Sequence, residues 1–201
     1  MNLYDFDKTI YREDCAYEFL GYSLRHHPYL IVTFLPRLIA RIIRYGFTSK
    51  SCAFGYTIIA HLRNPSKDIK KYWDKNMHKI MPWYLKQKRD DDVVISASPT
   101  YLIKEVCERL GVKYFATDVD MKTGKLLTEV PRSIKKVNIL INKLNFPKID
   151  NFYSDSYSDT PLAYLAERSY LVNNKENKII PWPHSRDIIK KEIKNQRLKK
   201  Y

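Results

Sequence analysis

The sequence predicts an α/β protein: a mostly parallel sheet flanked by helices, with an all-helical cap inserted after the first strand. Three observations carry this prediction. A short strand signal opens the chain, residues 15–88 show only helical periodicity, and strand and helix signals alternate from residue 93 onward. At 201 residues, 44% hydrophobic and with only five glycines, the chain is long enough for one well-packed domain carrying one insertion. The expected division is an α/β core of residues 1–14 and 89–183, a helical cap of 15–88, and a basic tail of 184–201.

Each element has its own signal. Leu3, Tyr4 and Phe6 form a short apolar stretch that reads as a strand ending in a loop. In the insertion, Leu30, Ile31, Phe34, Leu35, Leu38, Ile39, Ile42 and Ile43 recur at helical spacing, and Pro36 breaks or kinks that stretch. Val93, Val94 and Ile95 make a β-branched strand ending at Ser96. Ser98 then suits a helix cap with Pro99 at the first position, Leu102, Ile103, Val106, Cys107 and Leu110 form the inner face, and Gly111 stops the helix. Residues 112–120 and 126–130 read as the two strands of a hairpin turning at Thr123-Gly124. A helix over 133–144 follows, then a strand, loop and helix start over 151–161, and a last strand at 169–173.

The net charge of +14 is unevenly placed. Residues 15–88 hold 13 Lys/Arg against 3 Asp/Glu, and residues 184–201 hold 7 against 2, so the remainder is near neutral. Such asymmetry points to an anionic partner at the cap or tail, although solvated basic faces are common. The isolated cysteines Cys15, Cys52 and Cys107 suggest neither a disulfide framework nor a zinc site and fit a reducing compartment. No secretory leader is read, since charges follow the start at once. The longest early run without Lys, Arg, Asp or Glu lies between Arg25 and Arg37, short of the roughly 20 apolar residues that span a bilayer. A cytoplasmic protein, soluble or peripheral at the membrane, is expected.

In open α/β sheets, ligands bind beyond the carboxyl ends of the strands. Three inferred strands end there in chemically useful residues: Asp5 and Asp7, then Ser96, then Asp155 and Asp159, with Lys136 near the start of a helix between the last two sites. Carboxylates from two strand ends make the hard, oxygen-rich site that magnesium prefers, and a serine hydroxyl with a lysine ammonium would complete a phosphate clamp. The first motif alone is ambiguous. "DFDKT" reads as D-x-D-x-T from Asp5 or as D-K-T from Asp7.

The ordered set "DFDKT", "VVISASP", Lys136 in "RSIKKV" and "YSDSYSD" resembles the haloacid dehalogenase-like phosphohydrolases, most closely their phosphoserine phosphatase-like branch with a helical cap after the first motif. The resemblance spans residues 2–174 and implies a Rossmann-like core and a Mg²⁺-dependent phosphatase acting on a small phosphorylated substrate. It implies that Asp5 attacks phosphorus to form an aspartyl phosphate and that Asp7 serves as acid and base. It further implies that Asp5, Asp7 (through its carbonyl), Asp155 and Asp159 serve the metal, and that Ser96 and Lys136 bind phosphate, the adjacent Lys135 being the alternative to Lys136, with Thr9 shaping the first loop and binding phosphate with them. The ion-pump pattern D-K-T-G-T fails when counted from Asp7, because Ile10 and Tyr11 stand where glycine and threonine are needed. Asp14 occupies the approximate place of a glutamate that reads the substrate amino group in that branch, which makes it a candidate specificity residue and weakens the case for phosphoserine itself. Ser154 stands where a glycine commonly precedes the metal aspartate, and Lys8 replaces a small residue.

Other conspicuous residues have plainer readings. His26 and His27 are a packing pair, Asp90-Asp91-Asp92 a solvated turn, Asp118 and Asp120 hairpin flanks, and Tyr72, Trp73, Trp83 and Tyr84 helix packing. The stretch Leu30–Ile43 with Arg37, Arg41 and Arg44 fits either a cap helix or a segment laid on anionic lipid, which leaves open a lipid-phosphate substrate. A second hypothesis is a basic binding protein on a phosphatase-like core, with an anionic membrane preferred over nucleic acid as its partner.

Overall fold

A three-residue strand, β1 (Asn2–Tyr4), forms the centre of the sheet, and all three of its residues are buried. In the computed structural model, which describes residues 1–46, 54–145, 147–174 and 176–183, it is joined by β2 (Val93–Pro99), β3 (Lys113–Thr117), β4 (Asn151–Ser154), β5 (Arg168–Asn173) and β6 (Lys178–Pro181). The strand order is β3-β2-β1-β4-β5-β6, with β1 to β5 parallel and β6 returning antiparallel on β5. The order reverses at β1, so the crevice where α/β sheets bind ligands opens at the carboxyl ends of β1, β2 and β4.

Alternation along the strands divides the core. Leu3, Val93, Ile95 and Phe152 face one side, where Val137, Leu140 and Leu162 cover them, while Tyr4, Val94 and Tyr153 face the other. The first side is covered by α7 (Ile134–Leu144) and α8 (Thr160–Ala163), the second by α6 (Thr100–Leu110) and the inserted helices. Those are α1 (Cys15–His26), α2 (Tyr29–Thr33), α3 (Leu35–Tyr45), α4 (Pro65–Asn76) and α5 (Pro82–Gln87), with a 3₁₀ helix at Tyr56–His61.

The insertion shares its hydrophobic cluster with the sheet. Trp73 stands edge-on to Phe6 and Tyr11, at 6.0 and 5.3 Å between ring centres, and its indole N–H donates to the Leu102 carbonyl at 3.0 Å. Trp83 and Tyr84 pack on Tyr4. Burial of such aromatic bodies is the chief attraction between the two parts, at about 1.5–3 kcal/mol per large side chain. His26 stacks on Tyr22 at 4.0 Å, and His27 meets Asp68 at 3.1 Å, so both histidines pack within the insertion.

Several expectations are corrected. Ser98 does not cap a helix: β2 runs on to Pro99 through a register shift after Ile95, and α6 starts at Thr100. Residues 126–130 form no strand; a single bridge pairs Val119 with Leu126 around the Gly124 turn. The strand at 169–173 is not the last, because β6 pairs back on it, with exposed Lys178–Pro181 carrying no alternation to betray it. Asp92 is fully buried and not solvated, accepting the backbone N–H groups of Asn2 and Arg89 and so holding β1 to the start of β2. Of the apolar row in the insertion, Leu30, Phe34 and Leu38 reach the core while Ile31, Ile39 and Ile43 stay exposed, because the chain breaks between α2 and α3 and only one row faces inward. The basic tail and Cys52 lie outside the described residues.

Candidate active site

Asp5 continues the sheet past β1, its N–H donating to the Tyr153 carbonyl at 2.9 Å. The chain then turns tightly: the Phe6 carbonyl accepts from Thr9 and Tyr11, and Lys8 adopts a left-handed φ of 56°. That conformation suits glycine better, and the Lys8 side chain is exposed at the edge of the pocket, near Asp14 and Asp155. The loop is clamped twice. Met81 N–H donates to the Ile10 carbonyl where the insertion returns, and the Asn174 side-chain amide donates to the carbonyls of Thr9 and Tyr11 from the end of β5.

This loop aims two carboxylates into one pocket of about 540 Å³. The Asp5 carboxylate meets the Lys136 ammonium at 2.5 Å, and the same ammonium lies 2.7 Å from Asp159. Lys136 is buried in the first turn of α7, and Lys135 instead pairs with Glu129 outside. Asp7 accepts the Cys15 N–H at the start of α1, at 2.7 Å, and the Ser98 hydroxyl at 2.5 Å. Asp155 lines the pocket beyond β4, and Asp14, the side-chain cap of α1, lines its rim.

Two residues expected at the phosphate lie behind the wall. Ser96 is fully buried and its hydroxyl accepts the Ser98 N–H at 3.0 Å, so Ser98 stands at the pocket in its place. Thr9 is buried too, and its hydroxyl accepts the Asp155 N–H at 3.0 Å, tying the first loop to the end of β4. Asp159 is also buried, held by Lys136 and by the Ser154 hydroxyl at 2.8 Å. Ser154 thus has a use where glycine would have none. The register shift in β2 re-aims Ser98, a feature that a sequence of strand residues does not announce.

The charges are poised. Burial, reinforced by Asp14, pushes the Asp7 carboxyl up to about 7 against the pull of Ser98 and the Cys15 N–H. Burial and the neighbouring Asp5 push Asp155 up to about 7, with Lys136 opposing. Burial raises Asp5 as well, although Lys136 works against it.

The sequence profile of the haloacid dehalogenase-like hydrolases matches residues 3–164, from β1 to the end of α8. The chain belongs to that family. A search among curated proteins found no match. Among solved structures, the fold is similar to a protein of unknown function from Bordetella pertussis Tohama I, 18% identical over 84% of this chain and 87% of that one, with a TM-score of 0.70. It is similar to a probable phosphoserine phosphatase from Vibrio cholerae, 14% identical over 84% of this chain and 55% of that one, TM-score 0.61. A phosphoserine phosphatase in a phospho-aspartyl intermediate analogue form is 19% identical over 83% of each chain, TM-score 0.53. At these identities the likeness is one of fold.

Among the described residues no cluster of three or more His, Cys, Asp or Glu forms a ready-made metal site. The acidic residues that line the pocket are Asp5, Asp7, Asp14, Asp155 and Asp159, of which Asp7 is held by Ser98 and the Cys15 N–H and Asp159 by Lys136 and Ser154. One or two carboxylates, with water and substrate oxygens filling the remaining positions, is how magnesium is commonly held in phosphoryl-transfer sites. The residues therefore fit a magnesium ion.

Proposed function

We propose that this member of the family is a Mg²⁺-dependent phosphatase that hydrolyses a small phosphomonoester through an aspartyl phosphate, with the helical insertion acting as the cap that selects the substrate. The observation that supports this reading best is the pair Asp5 and Asp7 at the end of the central strand, one held by Lys136 and the other by Ser98 and the α1 N-terminus. A nucleophile must be anionic and oriented, and an acid must be within reach of the leaving oxygen; two residues apart on one loop, the carboxylates can do both.

In this mechanism Asp5 Oδ attacks phosphorus in line with the ester oxygen, and the bond to that oxygen breaks as Asp7 gives it a proton. Asp7, now ionised, takes a proton from water as the water attacks the aspartyl phosphate, so Asp5 is released and inorganic phosphate leaves. Lys136 neutralises charge on Asp5 and on the transferring phosphoryl oxygens, and Ser98 orients Asp7 and offers its hydroxyl at the pocket wall. Bound Mg²⁺, held by Asp5, Asp155 and the Asp7 carbonyl, would supply charge neutralisation between the anionic nucleophile and the anionic ester. Thr9, Ser96 and Ser154 position these groups from behind, Asp159 at the pocket wall holds Lys136, and Asp14 at the rim would meet the leaving group.

The decisive experiment is turnover of an aryl phosphate and a broad panel of phosphomonoesters in magnesium, by wild type and by Asp5→Asn. Wild-type hydrolysis that Asp5→Asn abolishes supports the reading; a wild type inert across the panel, or an active Asp5→Asn, would sink it.

One surface favours an additional peripheral role at an anionic membrane. Ile31, Val32, Ile39 and Ile43 are exposed on α2 and α3, where α3 also carries Arg37 and Arg44. No helix among the described residues is long and apolar enough to cross a bilayer. Sedimentation with anionic vesicles tests it; binding that survives Ile39→Ser with Ile43→Ser would refute a role for this face.

A further inference from the structure

A second cavity adjoins the catalytic pocket. It has a volume of about 670 Å³, and Arg132 and Lys135 line both. One wall comes from the insertion, through Arg41, Phe54 and Thr57, and the other from residues 123–135 of the core. The walls are pressed together at a fixed point: Gly124, at φ +70°, lies so near the insertion that a Cβ there would sit 2.8 Å from the Thr57 Cα. The cavity is therefore a groove at the junction of the two parts that meets the catalytic pocket at Arg132 and Lys135.

Its chemistry is cationic with an apolar floor. Arg41, Lys125, Arg132 and Lys135 line it against the carboxylate of Glu129, which pairs with Lys135 at 3.0 Å. Arg41 lies with its guanidinium carbon 5.0 Å from the Phe54 ring centre, and its buried Nε has no hydrogen-bond partner among the described residues. A buried guanidinium donor left without an acceptor costs stability unless something else accepts from it. Arg132 stands within electrostatic reach of Asp14 and Tyr56 at the rim, opposing the burial that raises both groups. It is followed by Ser133 at φ 54° and ψ −127°, a backbone region that non-glycine residues rarely enter, where the chain turns from the groove into the wall of the catalytic pocket.

We propose that this groove is a second anion subsite, which holds a phosphate or carboxylate at the far end of the leaving group through Arg41, Lys125 and Arg132. The preferred substrates are then phosphomonoesters with two anionic ends separated by a short, partly apolar body that rests on Phe54. The proposal rests on the phosphatase reading for what happens at Asp5, and on the groove alone for what is bound beyond it. Arg41 is half-buried while Lys125 and Arg132 are exposed, so their charge-assisted hydrogen bonds to an anion contribute together on the order of tenfold in affinity.

The test compares n-alkyl phosphates with alkanediol bisphosphates and ω-carboxyalkyl phosphates of matched, graded length. Wild type should favour one of the doubly anionic series in kcat/KM by about tenfold or more at an optimum length, and the two series tell a phosphate-binding groove from a carboxylate-binding one. Arg41→Gln and Lys125→Gln should collapse that ratio towards unity, and Arg41→Lys should restore part of it. Calorimetry of the best bisphosphate binding to Asp5→Asn protein, with and without Arg41→Gln, reads the groove independently of turnover. A wild type that treats the alkyl and doubly anionic series alike overturns the subsite while leaving the phosphatase reading intact. If nothing is hydrolysed, that reading falls, and bisphosphate affinity insensitive to Arg41→Gln then overturns the subsite as well.

Discussion

Replacing Lys136 by methionine removes the ammonium wedged between Asp5 and Asp159 while keeping the length and apolar stem of the side chain. In the folded protein Lys136 and Asp159 are buried almost completely, so water cannot replace the lost partner. Two carboxylates would then share a pocket without their counter-ion, and breaking a buried pair from one side costs about 3–5 kcal/mol. That is a large part of the roughly 5–15 kcal/mol that keeps a domain folded, yet leaves the variant measurable. The pH dependence has a defined sign. Lys136 is raised by its carboxylate partners, so its stabilisation is complete below the unfolded value of 10.5 and is lost only as pH rises through the higher folded value. Asp5 is raised by burial even with Lys136 present, so the folded state takes a proton more readily than the unfolded one and gains stability as pH falls. Without Lys136 that gain should grow, and the deficit of Lys136→Met in EDTA should be full at pH 8 and clearly smaller at pH 5. Urea titrations at both pH values measure it, and Lys136→Met with Asp159→Asn should recover part of the stability but no activity. A Lys136→Met protein within about 0.5 kcal/mol of wild type at pH 8, the scatter of ordinary surface substitutions, would refute the buried bridge.

Three further outcomes follow from the same geometry. Gly124→Ala meets the Thr57 backbone and a left-handed φ together, which should cost about 2–4 kcal/mol in urea denaturation, whereas Gly46→Ala, also left-handed but with open space around it, should cost less. Magnesium at about 100 times its dissociation constant should stabilise the protein by about 2.7 kcal/mol, read as a rise in Tm that EDTA reverses, and Asp155→Asn should lose most of that rise. Ser98→Ala should lower kcat by about tenfold or more with a smaller change in KM, since it frees Asp7 from one of its two anchors, while Ser96→Ala should show chiefly as lost stability, about 1–2 kcal/mol, because its hydroxyl supports the Ser98 backbone.

The legible part of the site was the part written in residue type and spacing. Asp5 and Asp7 two apart after an apolar stretch, Lys136 at a helix start, and Asp155 after a strand all carry chemistry that few other roles demand, and all face one pocket. Ser98 reads as a cap because serine before a proline at a helix start is a local pattern, whereas its hydrogen bond to Asp7 spans 91 residues. Asn174 gave no signal at all, since an asparagine after a strand reads as a turn until its amide is seen to hold two carbonyls of the loop after β1. The resemblance gives Asp159 a part in positioning the metal or its waters, and packing adds what spacing cannot show, that its Oδ2 meets Lys136 and the Ser154 hydroxyl.

By itself the sequence determined the α/β class, the helical insertion and the acidic set, because periodicity and strand-end carboxylates are properties of consecutive residues. Tertiary structure decided which hydroxyl stands at the pocket, which apolar row of the insertion is buried, and that a cationic groove opens between Arg41 and Arg132. Those outcomes depend on distances between segments tens of residues apart, set by packing of the aromatic core and not by any local preference.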